Sequence, residues 1–151
     1  MHNFEQVKDV LDYGKMIHTE LRKFYESLNK QNGQARAKML LDYLSRHESH
    51  LEETLERFEA ENQHNVLDTW MQYAPSIDIQ QIINGKCLSP DMSVDEVVKL
   101  ALEFDEAVVE LYREATNECD VPHVKEVFQS LVELENQEKV HLLRASLFED
   151  M

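Results

Sequence analysis

The 151-residue chain has only three glycines, three prolines and two cysteines. It also has no apolar run near the roughly twenty residues that a membrane-spanning helix needs. Such sparse punctuation speaks against a sheet protein and suits long helices. Cys87 and Cys119 stand apart with no Cys-x-x-Cys spacing, so neither a disulfide framework nor a thiolate zinc or iron site is indicated. No Gly-x-Ser-x-Gly, phosphate loop or activated Cys-His pattern occurs, which leaves serine, nucleotide-loop and thiol chemistry without support. Basic residues are few: fifteen Lys and Arg face thirty Asp and Glu, for a net charge of −15. That charge repels phosphate backbones and anionic lipid, so neither nucleic acid nor a membrane is expected as a partner. The start, MHNFEQVKDV, lacks the basic and apolar regions of a signal peptide, and a cytoplasmic location is expected.

What the chain does have is helical periodicity. Hydrophobic residues make up 42% of it, enough for one core in a chain this long. Four stretches repeat apolar residues at helical spacing, predicting helices over about 4–29, 34–61, 94–116 and 121–148 in a single domain spanning 1–151. The first places Val7, Leu11, Gly14, Ile17, Leu21, Phe24 and Leu28 on one face, with Asn3 and Gln6 as a candidate cap. The second, after the Asn32-Gly33 turn signal, aligns Leu40, Leu44, Leu51, Leu55 and Phe58. Ser93 and Glu96 form a capping box for the third, which turns Val97, Ala101, Phe104, Val108, Leu111 and Ala115 inward. Asp120 and Pro122 open the fourth, with Val124, Phe128, Leu131, Leu134, Leu142 and Ala145 inside. Residues 62–92 lose the pattern and read as a long crossover, with Trp70 placed either over the bundle or at a dimer contact. The result is an all-α fold of two helical hairpins joined by one long link.

The halves echo each other. Phe24-Tyr25-Glu26 resembles Leu111-Tyr112-Arg113 at an offset of 87 residues, and His47-x-x-His50-Leu51 matches Glu138-x-x-His141-Leu142 at 91. A second hairpin turn four residues longer than the first would account for the change. Each helix also carries a polar residue within its apolar stripe: His18, His47, Asp105 and Glu138. Burying an unpaired charge costs several kcal/mol, roughly, so such residues must be neutralised, hydrogen-bonded or coordinated. His47 with His50, and Glu138 with His141, are three residues apart, one turn along a helix face, a spacing that lets two side chains converge on one ion. Glu20, Glu48, Glu103, Glu106, Glu110 and Glu135 fall mostly off the stripes and are expected on solvated faces, with Glu106 and Glu135 the exceptions to watch. Tyr25 and Tyr112 read as amphipathic core.

The helix order, the long crossover and the four ligand-bearing turns resemble the ferritin-like superfamily, in particular its rubrerythrin-like erythrin branch. Segments His18-Thr-Glu-Leu-Arg-Lys-Phe-Tyr25 and Asp105-Glu-Ala-Val-Val-Glu-Leu-Tyr112 are similar to the family's ligand-to-tyrosine stretches, and Glu138-x-x-His141 matches its motif literally. The resemblance implies a four-helix bundle with a central divalent metal site made by His18, His47, His50, Asp105, Glu138 and His141. Two carboxylates and four imidazoles carry a charge of −2, which balances one divalent ion and points to a single metal or an asymmetric pair. Iron is the first expectation and zinc the second, with oxygen or peroxide handling by a non-haem iron oxidoreductase as the chemistry, in a homodimer. The competing expectation is a metal-free bundle in which the same residues fix packing and the protein serves as an interaction or structural module.

Overall fold

The computed structural model describes residues 4–61, 67, 70–73, 78–85 and 91–149. Its elements are strand β1 (Phe4–Gln6), helices α1 (Val7–Gln31) and α2 (Ala35–Glu61), strand β2 (Trp70–Tyr73), short helix α3 (Ile79–Asn84), and helices α4 (Val94–Asn117) and α5 (Pro122–Glu149). The four long helices are the four periodic stretches, and α1 packs on α2 as α4 packs on α5. The fold is thus all-α in class, as expected.

The periodicity did not disclose the ribbon that β1 and β2 form. They pair antiparallel, with Phe4 opposite Tyr73 and Gln6 opposite Trp70. Pairing in β1 pushes the start of α1 to Val7, where Gln6 N donates to Asp9 Oδ2 at 3.1 Å as the cap. The Asn3 cap and the Trp70 side chain fall outside the described residues. Of the crossover, β2 and α3 are described, and the Asp78 side chain caps α3 by accepting from the backbone N–H groups of Gln80 and Gln81.

The hairpin turn after α1 is held by Asn32, a buried residue. Its Oδ1 accepts from Gln34 N at 2.7 Å, and its Nδ2 donates to Met92 O at 3.0 Å, tying the turn to the residue before the α4 cap. At that cap Ser93 Oγ accepts from Glu96 N at 3.2 Å, and Ser93 N donates to Glu96 Oε1 at 3.3 Å. Ser93→Ala is expected to lower stability by about 1 kcal/mol, read from urea unfolding, because the Glu96 N–H at the helix start loses its side-chain partner.

Burial follows the apolar stripes. Val7, Leu11, Ile17, Leu21, Leu28, Leu44, Leu51, Leu55, Val97, Ala101, Phe104, Val108, Leu111, Ala115, Val124, Phe128 and Leu142 are all buried. Phe24, Leu40, Phe58, Leu131 and Leu134 are half-buried. Each fully buried Leu, Val or Phe contributes about 1.5–3 kcal/mol relative to exposure. Aromatic edges lock the hairpins together: Phe24 meets Phe104 at 5.4 Å and 88°, and Tyr25 meets Phe104 at 6.1 Å and 72°.

One expectation is corrected by the helix starts. Val7 to Val94 and Ala35 to Pro122 are each 87 residues apart, so both hairpins turn after the same number of residues and no four-residue insertion exists. A single offset therefore relates the halves, pairing His18 with Asp105, Tyr25 with Tyr112 and Glu48 with Glu135. The match at 91 residues is a coincidence of sequence.

Candidate metal centre

Halfway along the bundle, all four long helices bury polar side chains. His18 on α1, Glu48 on α2, Asp105 on α4, and Glu135 and Glu138 on α5 are each at most 2% exposed. His18 sits between two carboxylates: Nδ1 lies 2.5 Å from Glu48 Oε2, and Nε2 lies 3.5 Å from Glu135 Oε1. Glu48 and Glu138 act electrostatically on Asp105, and all four carboxylates act on Tyr25, which places them around one interior region.

Of the six residues the sequence selected, His18, Asp105 and Glu138 are brought to this centre. His47 stands at its edge, with its side chain 16% exposed and Nε2 3.2 Å from Glu138 Oε2. That contact is too poorly aligned to be a hydrogen bond, and Nε2 has no partner among the described residues. His50 and His141 are exposed, though near enough for their charges to act on His47. The reason is helical register. Inward positions on α2 run Leu41, Leu44, Glu48, Leu51 and Leu55, so His50 falls on the outer face. On α5 the buried positions run Glu135, Glu138 and Leu142, which leaves His141 outside.

Glu48 and Glu135 take the interior places that the sequence had given to histidines. Glu135 was one of the two flagged exceptions to a solvated face. Glu106, the other, is exposed and paired with Lys139. The centre therefore has four carboxylates, not two, and its full ionised charge is −4 instead of −2.

Among the described residues no Lys or Arg is buried to balance that charge, the half-buried Lys139 acting on Asp105 only weakly, and the acids respond by holding protons. Burial raises Glu48 and Glu135 well above the usual carboxylate range, with neighbouring carboxylates adding to the effect. Asp105 is pushed up to about 9 by burial and then by Glu48 and Glu138, and Glu138 to about 7 by burial against an opposing hydrogen bond from Tyr43. Burial lowers His18, and it lowers His47 to about 4. Several oxygens also lack hydrogen-bond partners among the described residues: Asp105 Oδ2, Glu135 Oε2, Glu138 Oε1, and the hydroxyls of Tyr25 and Tyr112. Buried polar atoms are rarely left this way without water or a bound ion to satisfy them.

The two tyrosines, which the sequence assigned to ordinary core, occupy equivalent places in the halves. Both are fully buried, and the Tyr112 ring stacks on Phe128 at 6.4 Å. Cys119 is buried as expected, and Cys87 lies outside the described residues.

A solved structure that is similar over the whole fold decides the architecture. It is a crystal structure from Thermotoga maritima, provisionally described as a ferritin-like diiron-carboxylate protein. It superposes with a TM-score of 0.64 at 17% identity and covers 95% of each chain. The fold is ferritin-like. No family model and no curated protein matches the sequence. Within this ferritin-like bundle, no helix among the described residues is long and apolar enough to cross a membrane. Also among the described residues, no three His, Cys, Asp or Glu side chains already have the geometry of a formed ion site. Instead the donors face one another, as His18 does with Glu48 and His47 with Glu138.

Proposed function

We propose that this protein binds divalent metal at the centre of its bundle through His18, Glu48, Asp105, Glu135 and Glu138, with a pair of ions as the full complement. The observation that carries this reading is the set of buried, orphaned carboxylate oxygens of Asp105, Glu135 and Glu138, contributed from two helices, with no buried Lys or Arg among the described residues to offset them. Four carboxylates balance two divalent ions, whereas the imidazole-rich set read from the sequence would have balanced one. An oxygen-dominated donor set with a single imidazole also favours iron or manganese over zinc. The similar Thermotoga maritima protein, described as diiron-carboxylate, makes iron the first ion to test.

The fit is chemical and calls for small movements. His18 would release its contact with Glu48 or Glu135 and offer one ring nitrogen, while the other keeps a carboxylate partner that orients the ring. Tyr25 and Tyr112 exclude water from the interior and place two hydroxyl protons next to the carboxylates. Iron held there would supply redox chemistry toward oxygen or peroxide, in keeping with the rubrerythrin-like stretches around Tyr25 and Tyr112.

Elemental analysis of protein purified without chelator tests the proposal, using Asp105→Asn, Glu135→Gln and His141→Ala variants. The expected result is up to two divalent ions per chain, a loss of at least half in the Asp105 and Glu135 variants, and no loss in His141→Ala. Equal metal content in all four proteins would leave the metal-free polar network, and the interaction-module reading that accompanies it, as the better account.

A further inference from the structure

The 87-residue offset that relates the halves breaks down at one place beside the centre. Glu138 on α5 corresponds to Leu51 on α2, which is 2% exposed. His47 corresponds to the half-buried Leu134, and Tyr43 to the exposed Ser130. One rim of the centre therefore has two leucines and an exposed serine where the other has a carboxylate, an imidazole and a phenol.

The polar rim is a connected structure. Tyr43 is 44% exposed, and its ring stacks on that of His47 at 6.2 Å and 14°. Its hydroxyl donates to Glu138 Oε2 at 3.2 Å, the same oxygen that His47 Nε2 approaches to 3.2 Å. The other oxygen of Glu138 is buried and without a partner among the described residues. A continuous line of polar atoms thus runs from solvent through Tyr43 to a carboxylate that belongs to the interior set. The exposed His50 and His141 lie outside it, near His47.

We infer that Tyr43, His47 and Glu138 form the port through which hydrated divalent cations reach the bundle centre. The inference rests on the metal-binding reading above. A hydrated cation needs oxygen or nitrogen ligands at each stage as it sheds water, and inside the exposed Ser130, whose hydroxyl donates to Glu126 O, the opposite rim has only leucines. Glu138 can serve at both stages, because one carboxylate can exchange Tyr43 and His47 for a cation while its second oxygen stays with the interior. Tyr43 is the latch: its hydroxyl occupies the Glu138 oxygen that faces the rim, and its ring covers His47.

Cobalt(II) uptake by the metal-free protein, followed by visible absorption after rapid mixing, tests the port. Tyr43→Ala is expected to load about tenfold faster and to release cobalt to a chelator faster. His47→Leu, which installs the residue of the sealed rim, is expected to load about tenfold slower. Leu134→Ala at the opposite rim should load at the unaltered rate, and all proteins should reach the same final cobalt content. Tyr43→Phe keeps the ring and removes only the hydroxyl, and is expected to fall between the unaltered protein and Tyr43→Ala. Rates within twofold for every variant, or Leu134→Ala accelerating as much as Tyr43→Ala, would overturn the port while leaving the centre intact. Failure of the unaltered protein to take up any cobalt would overturn the metal-binding reading and the port with it.

Discussion

Metal-free protein is expected to melt on the order of 10 °C lower at pH 8 than at pH 5, and a divalent cation is expected to remove most of that loss. In the unfolded chain Asp105 and Glu138 are ionised throughout this range. In the fold Asp105 keeps its proton up to about 9 and Glu138 up to about 7. Groups whose affinity for protons is raised by folding stabilise the fold at low pH, and that contribution is lost as pH rises toward their folded values. At about 1.4 kcal/mol per proton per pH unit, Asp105 accounts for roughly 4 kcal/mol between pH 5 and 8, and Glu138 for roughly 3. His18 and His47 work the other way. Both are held below the usual imidazole range; His47, at about 4, returns about 2 kcal/mol between pH 5 and 6.5, and His18 acts with the same sign. The remainder is about 5 kcal/mol before His18 is counted against it, and Glu48 and Glu135 add with the same sign as Asp105. For a chain of this size each kcal/mol moves Tm by about 2–4 °C. A cation binds the deprotonated acids, so its stabilisation grows with pH and reaches about 2.7 kcal/mol at a hundred times Kd. Thermal melts at pH 5, 6.5 and 8, with chelator and with manganese(II), give the comparison. Metal-free protein that is more stable at pH 8 than at pH 5 would show that the interior acids are not protonated in the fold.

The same interior shows why part of the site was legible in sequence and part was not. His18 and Asp105 each interrupt an apolar stripe on a helix whose neighbouring positions are uniformly hydrophobic, so the substitution stands out. On α2, His47 and Glu48 are adjacent, and Leu44 and Leu51 are compatible with either pointing inward. The His47-x-x-His50 spacing favoured the imidazole, because two side chains one turn apart can converge on one ion, and it left Glu48 to the solvated face. Helical register overrides that spacing: Glu48 is 2% exposed, whereas His50 falls on the outer face. The signal that would have resolved it was the 87-residue offset, which carries His18 to Asp105, Tyr25 to Tyr112 and Glu48 to Glu135 in one step. The His-x-x-His and Glu-x-x-His patterns competed with it and shifted the register of the second hairpin by four residues. The capping box at Ser93 needed no such choice, because periodicity and turn chemistry agreed there. The ribbon of Phe4–Gln6 with Trp70–Tyr73 lay beyond any local signal, since each strand is too short to show a period and they pair across more than sixty residues.

Gly14→Ala is expected to destabilise the protein by about 1–3 kcal/mol, against the usual gain of about 1 kcal/mol for replacing glycine by alanine inside a helix. A Cβ built on Gly14 would lie 2.4 Å from the Tyr112 hydroxyl oxygen, 3.3 Å from Tyr112 Cζ and 3.4 Å from Leu55 Cδ1. Tyr112 has little freedom to yield, because it is 1% exposed and its ring stacks on Phe128. The collision is with one atom, and that atom is a buried hydroxyl with no hydrogen-bond partner among the described residues. Tyr112→Phe removes it, leaving 3.3 Å to the ring carbon as the nearest approach. In the Tyr112→Phe background the penalty for Gly14→Ala should therefore fall by more than half. A double-mutant cycle in urea measures this coupling, and additive penalties would show that Tyr112 does not press against α1 at Gly14. Glycine at this position thus serves to let a tyrosine hydroxyl reach the backbone of the opposite hairpin. The burial of that hydroxyl beside the Glu135 and Glu48 carboxyl groups, which add to burial in raising its proton affinity, ties the packing of α4 on α1 to the polar centre.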